Sequence, residues 1–199
     1  MTTNTSKSSP ANRSVTGPFD STEVADLSVY GDFGSILVQP VAGLDIRLDV
    51  EEASGNIVSV SLYLESSSLT VQAFAAPKTE GLWHEVRGIL TNSITAQGGT
   101  SDERLGSFGP ELLGQLPEYV NGNQVGRKVA RFIGIDGPRW LLRCVVSGAA
   151  VTDPAAASRI DGLIRSLVVN RGEDPIPPRE ALPLSVPGNV ITPPRPGAN

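Results

Sequence analysis

The sequence predicts an α+β domain built on a central antiparallel sheet of roughly six to eight strands, with two main helices. Three observations carry that expectation. Residues 44–75 hold three successive segments in which apolar and polar side chains alternate, the period of a half-buried strand. Residues 81–97 and the stretch from Asp153 to Leu167 instead space their apolar residues at helical period. The order is strands, helix, strands, helix, without the strand–helix alternation of a parallel sheet and without an internal repeat.

Leu27–Tyr30 and Ser35–Gln39 are short strand candidates. In the first long strand Leu44, Ile46, Leu48 and Val50 alternate with Asp45, Arg47, Asp49 and Glu51. After a turn at Ser54-Gly55-Asn56, Val58, Val60, Leu62 and Leu64 alternate with Ser59, Ser61, Tyr63 and Glu65. Leu69–Ala75 completes a three-stranded meander with one polar face. Past Pro77, Leu82, Val86, Ile89, Leu90, Ser93, Ile94 and Gln97 form a helical face that Gly98-Gly99 ends, with Trp83 and His84 in its first turn. Arg104–Phe108 and Glu111–Leu116 read as strands around Gly109-Pro110, and Glu118–Gly126 as a Gly- and Asn-rich loop.

Lys128–Ile135 and Arg139–Gly148 flank Asp136-Gly137, a dipeptide suited to a tight hairpin turn. A two-residue turn there sets Ile133 opposite Trp140 and Val129 opposite Cys144 on one face, with Phe132 opposite Leu141 and Ala130 opposite Arg143 on the other. Both faces are apolar, so the second requires cover from a helix, the tail or a partner. Asp153 is an N-cap and Pro154 a first helical residue, followed by Ile160, Leu163, Ile164 and Leu167 on one face. Val168–Asn170 then reads as a short edge strand.

The domain is expected over residues 18–172. Residues 1–17 are rich in Ser, Thr and Asn, lack the apolar core of a signal peptide and read as a disordered arm. Eight of the sixteen prolines fall in 175–196, so residues 173–199 form an extended tail, whose first part docks through Ile176, Leu182, Leu184 and Val186. The most apolar window, Trp140–Val151, is broken by Arg143 and Ser147-Gly148 and falls short of the ~20 residues that span a bilayer. The expectation is a soluble cytoplasmic protein, with one Cys suited to a reducing compartment.

Sixteen Lys and Arg against 21 Asp and Glu give a net charge of −5, which argues against binding a phosphate backbone, as do ten scattered aromatic residues with no basic patch. With one His and one Cys, an intrachain disulfide and a Cys/His zinc site are excluded, and no cofactor is indicated. A nucleophile–His pair would need His84, yet His84 sits at a helix start and no G-x-S-x-G pattern occurs. Cys144 alternates with Trp140, Leu142 and Val146 as a small core hydrophobe, and Arg143 points to the opposite face. Asp32-Phe33-Gly34 spells the kinase metal-binding tripeptide without any other kinase segment. The two G-x-x-G strings at 106–109 and 134–137 lie beside strands and read as turns. Asp45, Asp49 and Glu51 lie on a polar strand face and Asp102 with Glu103 in a loop, all as solvated charges.

The segments QAFAAPKTEGLWHEVRGILTNSITAQGG (72–99), GSFGPEL (106–112), RFIGIDGPRWLLRCVVSGAA (131–150) and NRGEDPIPPREALPL (170–184) resemble an actinobacterial domain family of unknown function over about residues 17–187. That resemblance implies no activity and no catalytic residues, and its members are often encoded near a dUTPase. More loosely, the element order is similar to the fold of PsbP and Mog1, an antiparallel sheet with helices on both faces whose members are mainly binding or assembly factors.

The leading functional expectation is a non-enzymatic module that binds another protein, homo-oligomers included, through Phe132, Arg139, Leu141, Arg143 and Val145, apolar residues flanked by arginine as at interfaces. The alternative is a small-molecule binder, nucleotide-related, or a hydrolase-like enzyme, with a cleft at Trp83, His84 and Arg87.

Overall fold

The meander and the two-faced hairpin are parts of one seven-stranded sheet. The structure, a computed structural model, describes residues 6–188. In chain order the strands are β1 (Phe19–Asp20), β2 (Gly31–Asp32), β3 (Ile36–Val38), β4 (Leu44–Val50), β5 (Ile57–Leu64), β6 (Ser67–Ala75), β7 (Thr100–Gly106), β8 (Gly109–Val120), β9 (Asn123–Asp136), β10 (Trp140–Gly148) and β11 (Val168–Val169). The helices are α1 (Arg13–Thr16), α2 (Trp83–Ala96) and α3 (Pro154–Ser166). The large sheet is antiparallel throughout and runs β4-β5-β6-β10-β9-β8-β7; a small sheet runs β1-β11-β3-β2.

Each face of the large sheet is covered by a different helix. On the inner face Leu62, Leu69, Val71, Leu142, Cys144, Val146, Ile133 and Ile135 pack in one core with Ile160, Leu163, Ile164 and Leu167 at α3 and with Phe33, Ile36 and Val38 of the small-sheet region. Asp153 caps α3 by accepting the Ala155 N–H, and Pro154 supplies its fixed φ at the first position. On the outer face α2 lays Leu82 and Trp83 over Leu141 and Ala76, with Phe74, Val86, Leu90 and Phe132 at the margin. The close approach needs glycine: a Cβ on Gly134 would stand 2.0 Å from the Trp83 ring, and one on Gly114 2.7 Å from the Phe132 ring.

The start of α2 is capped from a distance. Leu82, at its N-cap position, has no side-chain acceptor; Asp136 supplies it, accepting the N–H of Leu82 at 2.9 Å and of Trp83 at 3.4 Å. That engagement moves the hairpin register. Gly137 N–H donates to Trp140 O, the chain turns over residues 137–139, and Cys144 pairs with Ile133, four residues further along β9 than Val129. Because the shift is even, every side chain keeps its expected face.

Other expectations change as well. Glu118–Gly126 is not a loop: β8 and β9 continue through it as a ribbon closed by Asn121-Gly122, whose φ values of 51° and 80° are those of a type I′ turn. Asp102 and Glu103 belong to β7, not to a loop. Leu27–Tyr30 forms no strand, and Val168–Val169 lies inside the small sheet between β1 and β3 instead of at an edge. Residues 6–17 do not form a free arm. Ser8 N–H donates to Asp136, Lys7 Nζ reaches Gly137 O and Pro138 O, and Arg13 is 8% exposed against Pro18 O and Glu23. Residues 179–182 add to the edge of β6, exchanging backbone hydrogen bonds with Ala73 and Ala75 and burying Leu182, whereas Val186 is 68% exposed. Residues 1–5 of the expected arm and 189–199 of the expected tail lie outside the described residues.

Candidate functional site

The inner face changes character from β10 toward β7. Arg131 shares the face of Ile133 and Ile135, yet it is a cation 4% exposed. A charge there must be paired or it would not stay buried. Glu111 of β8, 1% exposed, accepts from Arg131 Nε at 3.2 Å and Nη2 at 3.1 Å, and from Arg104 Nε of β7 at 2.7 Å. Asp161 of α3 brings Oδ1 to 3.2 Å from Arg131 Nη2 and accepts from Ser107 Oγ at 2.7 Å. The cluster thus joins three adjacent strands to the helix. Burial acts to lower the Arg131 pKa, but the Glu111 hydrogen bond and the Asp161 and Glu111 charges outweigh it and hold the guanidinium above its usual value.

This cluster floors a cleft of about 760 Å³. Its walls include Gly106 and Ser107 of the β7–β8 turn, the 150–154 segment entering α3, and Arg165. Arg165 is stacked 4.8 Å over the Phe108 ring. One guanidinium nitrogen, Arg131 Nη1, is buried without a hydrogen-bond partner. Nearby Cys144 is fully buried, and burial first, then the Asp161 charge, push its thiol far up, so it is a neutral core side chain and not a nucleophile.

Of the residues expected near α2, the structure joins two and separates the third. His84 is exposed, with Nδ1 3.3 Å from Arg87 Nη2, and Arg87 Nε donates to Glu103 Oε2 at 2.8 Å. Both line a pocket of about 280 Å³ with residues 6–9, Gly109 and Pro110. Trp83 turns inward, is 0% exposed and donates Nε1–H to Pro110 O at 2.6 Å, so it is not a wall of that pocket.

The expected interface is also divided. Leu141 is 1% exposed beneath α2 and cannot meet a partner. Phe132 and Val145 are half-buried cross-strand neighbours on the outer face. Arg143 sits beside them, bonded to Gln72 and 5.1 Å over the Phe74 ring, and burial lowers its pKa. Arg139 is exposed in the 137–139 turn, at the far end of β9 from the Asn121-Gly122 turn.

Sequence reading passed over Glu111, Arg131 and Asp161. For Arg131 a signal existed: by strand alternation it falls on the face of Ile133 and Ile135, where an arginine is out of place. Among the described residues no group of three or more His, Cys, Asp and Glu side chains could hold a metal ion, and no helix is long and apolar enough to cross a membrane.

No curated protein matches the chain. Among solved structures, the solution structure of cyanobacterial PsbP (CyanoP) from Synechocystis sp. PCC 6803 is similar at a TM-score of 0.39 and 15% identity, over 77% of this chain and 99% of that one. A family model described as a protein of unknown function (DUF3710) matches residues 17–192, and the chain belongs to that family.

Proposed function

We propose that the chain is a non-enzymatic protein-binding domain whose contact is made by the arm that β8 and β9 form beyond the sheet. The single observation behind this reading is the free ribbon. β7 accompanies β8 only as far as Gln115 and β10 accompanies β9 only as far as Arg131, while β8 and β9 stay paired out to Val120 and Asn123. Both edges of the ribbon therefore present backbone N–H and C=O groups, which natural sheets normally cover. It also carries Tyr119, Val120 and Val125 at 60%, 52% and 58% exposure, a concentration of apolar side chains suited to a protein surface.

The partner this fits is an extended segment of another protein that adds a strand to the ribbon, since a row of backbone groups is satisfied by another backbone. Phe132, Arg143 and Val145 extend the contact along the outer face from the root of the arm. Leu141 beneath α2 and Arg139 at the other end of β9 are not part of it. The test compares the full chain with a variant in which residues 117–127 are replaced by an Asn-Gly turn. Cross-linking and hydrogen exchange on a purified complex should place the partner's extended segment along 117–128, with the shortened variant losing that partner at unchanged Tm. A partner retained by the shortened variant, or a complex containing only copies of this chain, rejects the reading.

A further inference from the structure

We infer that the cleft between the β7–β8 hairpin and α3 binds a small molecule through an oxyanion, a carboxylate or phosphate group, held by Arg131, Arg104 and Arg165. Of the carboxylates at the cleft, Glu111 is bound between Arg131 and Arg104 and Asp153 caps α3, while Asp161 accepts from Ser107 and stands 3.2 Å from Arg131 Nη2 through Oδ1, a buried oxygen without a hydrogen-bond partner. The three arginines hold the spare donors. Arg131, with its side chain 4% exposed, keeps Nη1 buried and unpartnered at the floor. Arg104 meets Glu111 through Nε, and its side chain is 42% exposed at the mouth. Arg165 makes one 3.4 Å contact to Thr16 Oγ1. A buried donor without an acceptor is disfavoured, and an acceptor that enters from the cleft would satisfy it.

An anionic oxygen is the acceptor that such a set prefers, because charge-assisted hydrogen bonds to guanidinium are the stronger kind and Arg geometry matches carboxylate and phosphate. Glu111 has a positioning role. It holds Arg131 through Nε and Nη2, which leaves Nη1 as the guanidinium nitrogen without a protein acceptor. A volume of about 760 Å³ admits a metabolite-sized molecule and not a macromolecule.

The experiment titrates the full chain with inorganic phosphate and, in a second arm, succinate, at constant ionic strength, reading Tm and the NMR shifts of Ser107 and the 150–154 segment. Saturable binding of one probe is expected, and the arm that saturates at the lower concentration identifies the anion class. Arg131→Met/Glu111→Leu, which removes the pair as a unit and keeps the volume apolar, should weaken binding by about tenfold or more while the chain stays folded. Arg104→Gln and Arg165→Gln, further from the core, should each weaken it less. Linear, unsaturable responses to both probes overturn the inference, as does equal binding by the double variant. A well-ordered water on Arg131 Nη1 that persists at saturating probe overturns it too.

Discussion

Asp136 and Glu111 are both buried carboxylates in strands, and they solve the same problem in opposite ways. Asp136, 2% exposed, is held by backbone: the N–H groups of Ser8, Leu82 and Trp83 all donate to it. Those donors are fixed by the fold, so the carboxylate ties together the N-terminal segment, the start of α2 and the β9–β10 turn. Glu111, 1% exposed, is held by side chains, Arg104 and Arg131, whose guanidinium groups carry more donors than one carboxylate can use. Arg131 Nη1 is left without a hydrogen-bond partner, and both arginines line a cleft. A buried charge satisfied by backbone is a structural joint, whereas one satisfied by arginine can leave donors over for something else.

The largest effect expected from that difference is at Arg131. Arg131→Met alone leaves Glu111 buried without its main partner and should destabilise the chain by about 3–5 kcal/mol. Adding Glu111→Leu should recover most of the loss, because an apolar pair of similar volume replaces a buried ion pair nearly neutrally. Urea unfolding of both variants measures this. A double variant no more stable than the single one would mean that the cluster is as structural as Asp136, and the contrast would fail.

Asp136→Ala should cost about 3 kcal/mol, since it strands buried N–H groups at the start of α2. For a chain of this size that lowers Tm by roughly 6–12 °C. Here no second substitution rescues, because the stranded donors belong to the backbone. Recovery of stability by any apolar residue at 136 would show that the donors find water, and that the joint is not one.

These two sites also explain what could be read in the sequence. The meander, α2, α3 and the covered second face were legible because apolar period is a local property of the chain. The register of β9 against β10 was not. It depends on Asp136 being drawn to α2 residues more than fifty positions away in the chain, and no dipeptide preference reports that. The β8–β9 arm was missed for a simpler reason: Asn121-Gly122, a strong turn signal in its own right, was absorbed into a stretch read as loop. The candidate cleft needed both kinds of information. Arg131 betrays itself by alternation, but Glu111 and Asp161 become its partners only once β8 and α3 are placed beside it.

The smallest predicted effect uses pH to separate a buried carboxylate from one that arginine holds near the surface. For Asp136, burial raises the pKa above 3.8, and the Ser8, Leu82 and Trp83 hydrogen bonds with the Lys7 charge only partly oppose it. The folded state then binds the proton more tightly than the unfolded chain, so this group's contribution to stability falls as pH rises from 3.8 through the folded value and is flat beyond it. For Glu23, burial also acts to raise the pKa, but the Arg13 side-chain and Asp20 backbone hydrogen bonds outweigh it and bring the pKa below 4.5. Its contribution is present above 4.5 and is lost as pH falls through the folded value. Against wild type, Glu23→Gln should be destabilised by about 1 kcal/mol at neutral pH, a gap that closes on acidification. The gap for Asp136→Asn should instead be widest in acid and narrow as pH rises. Urea midpoints across the acid range decide it, and two gaps that move in the same direction would mean that Asp136 is held by its charge, as Glu23 is, and not in spite of it.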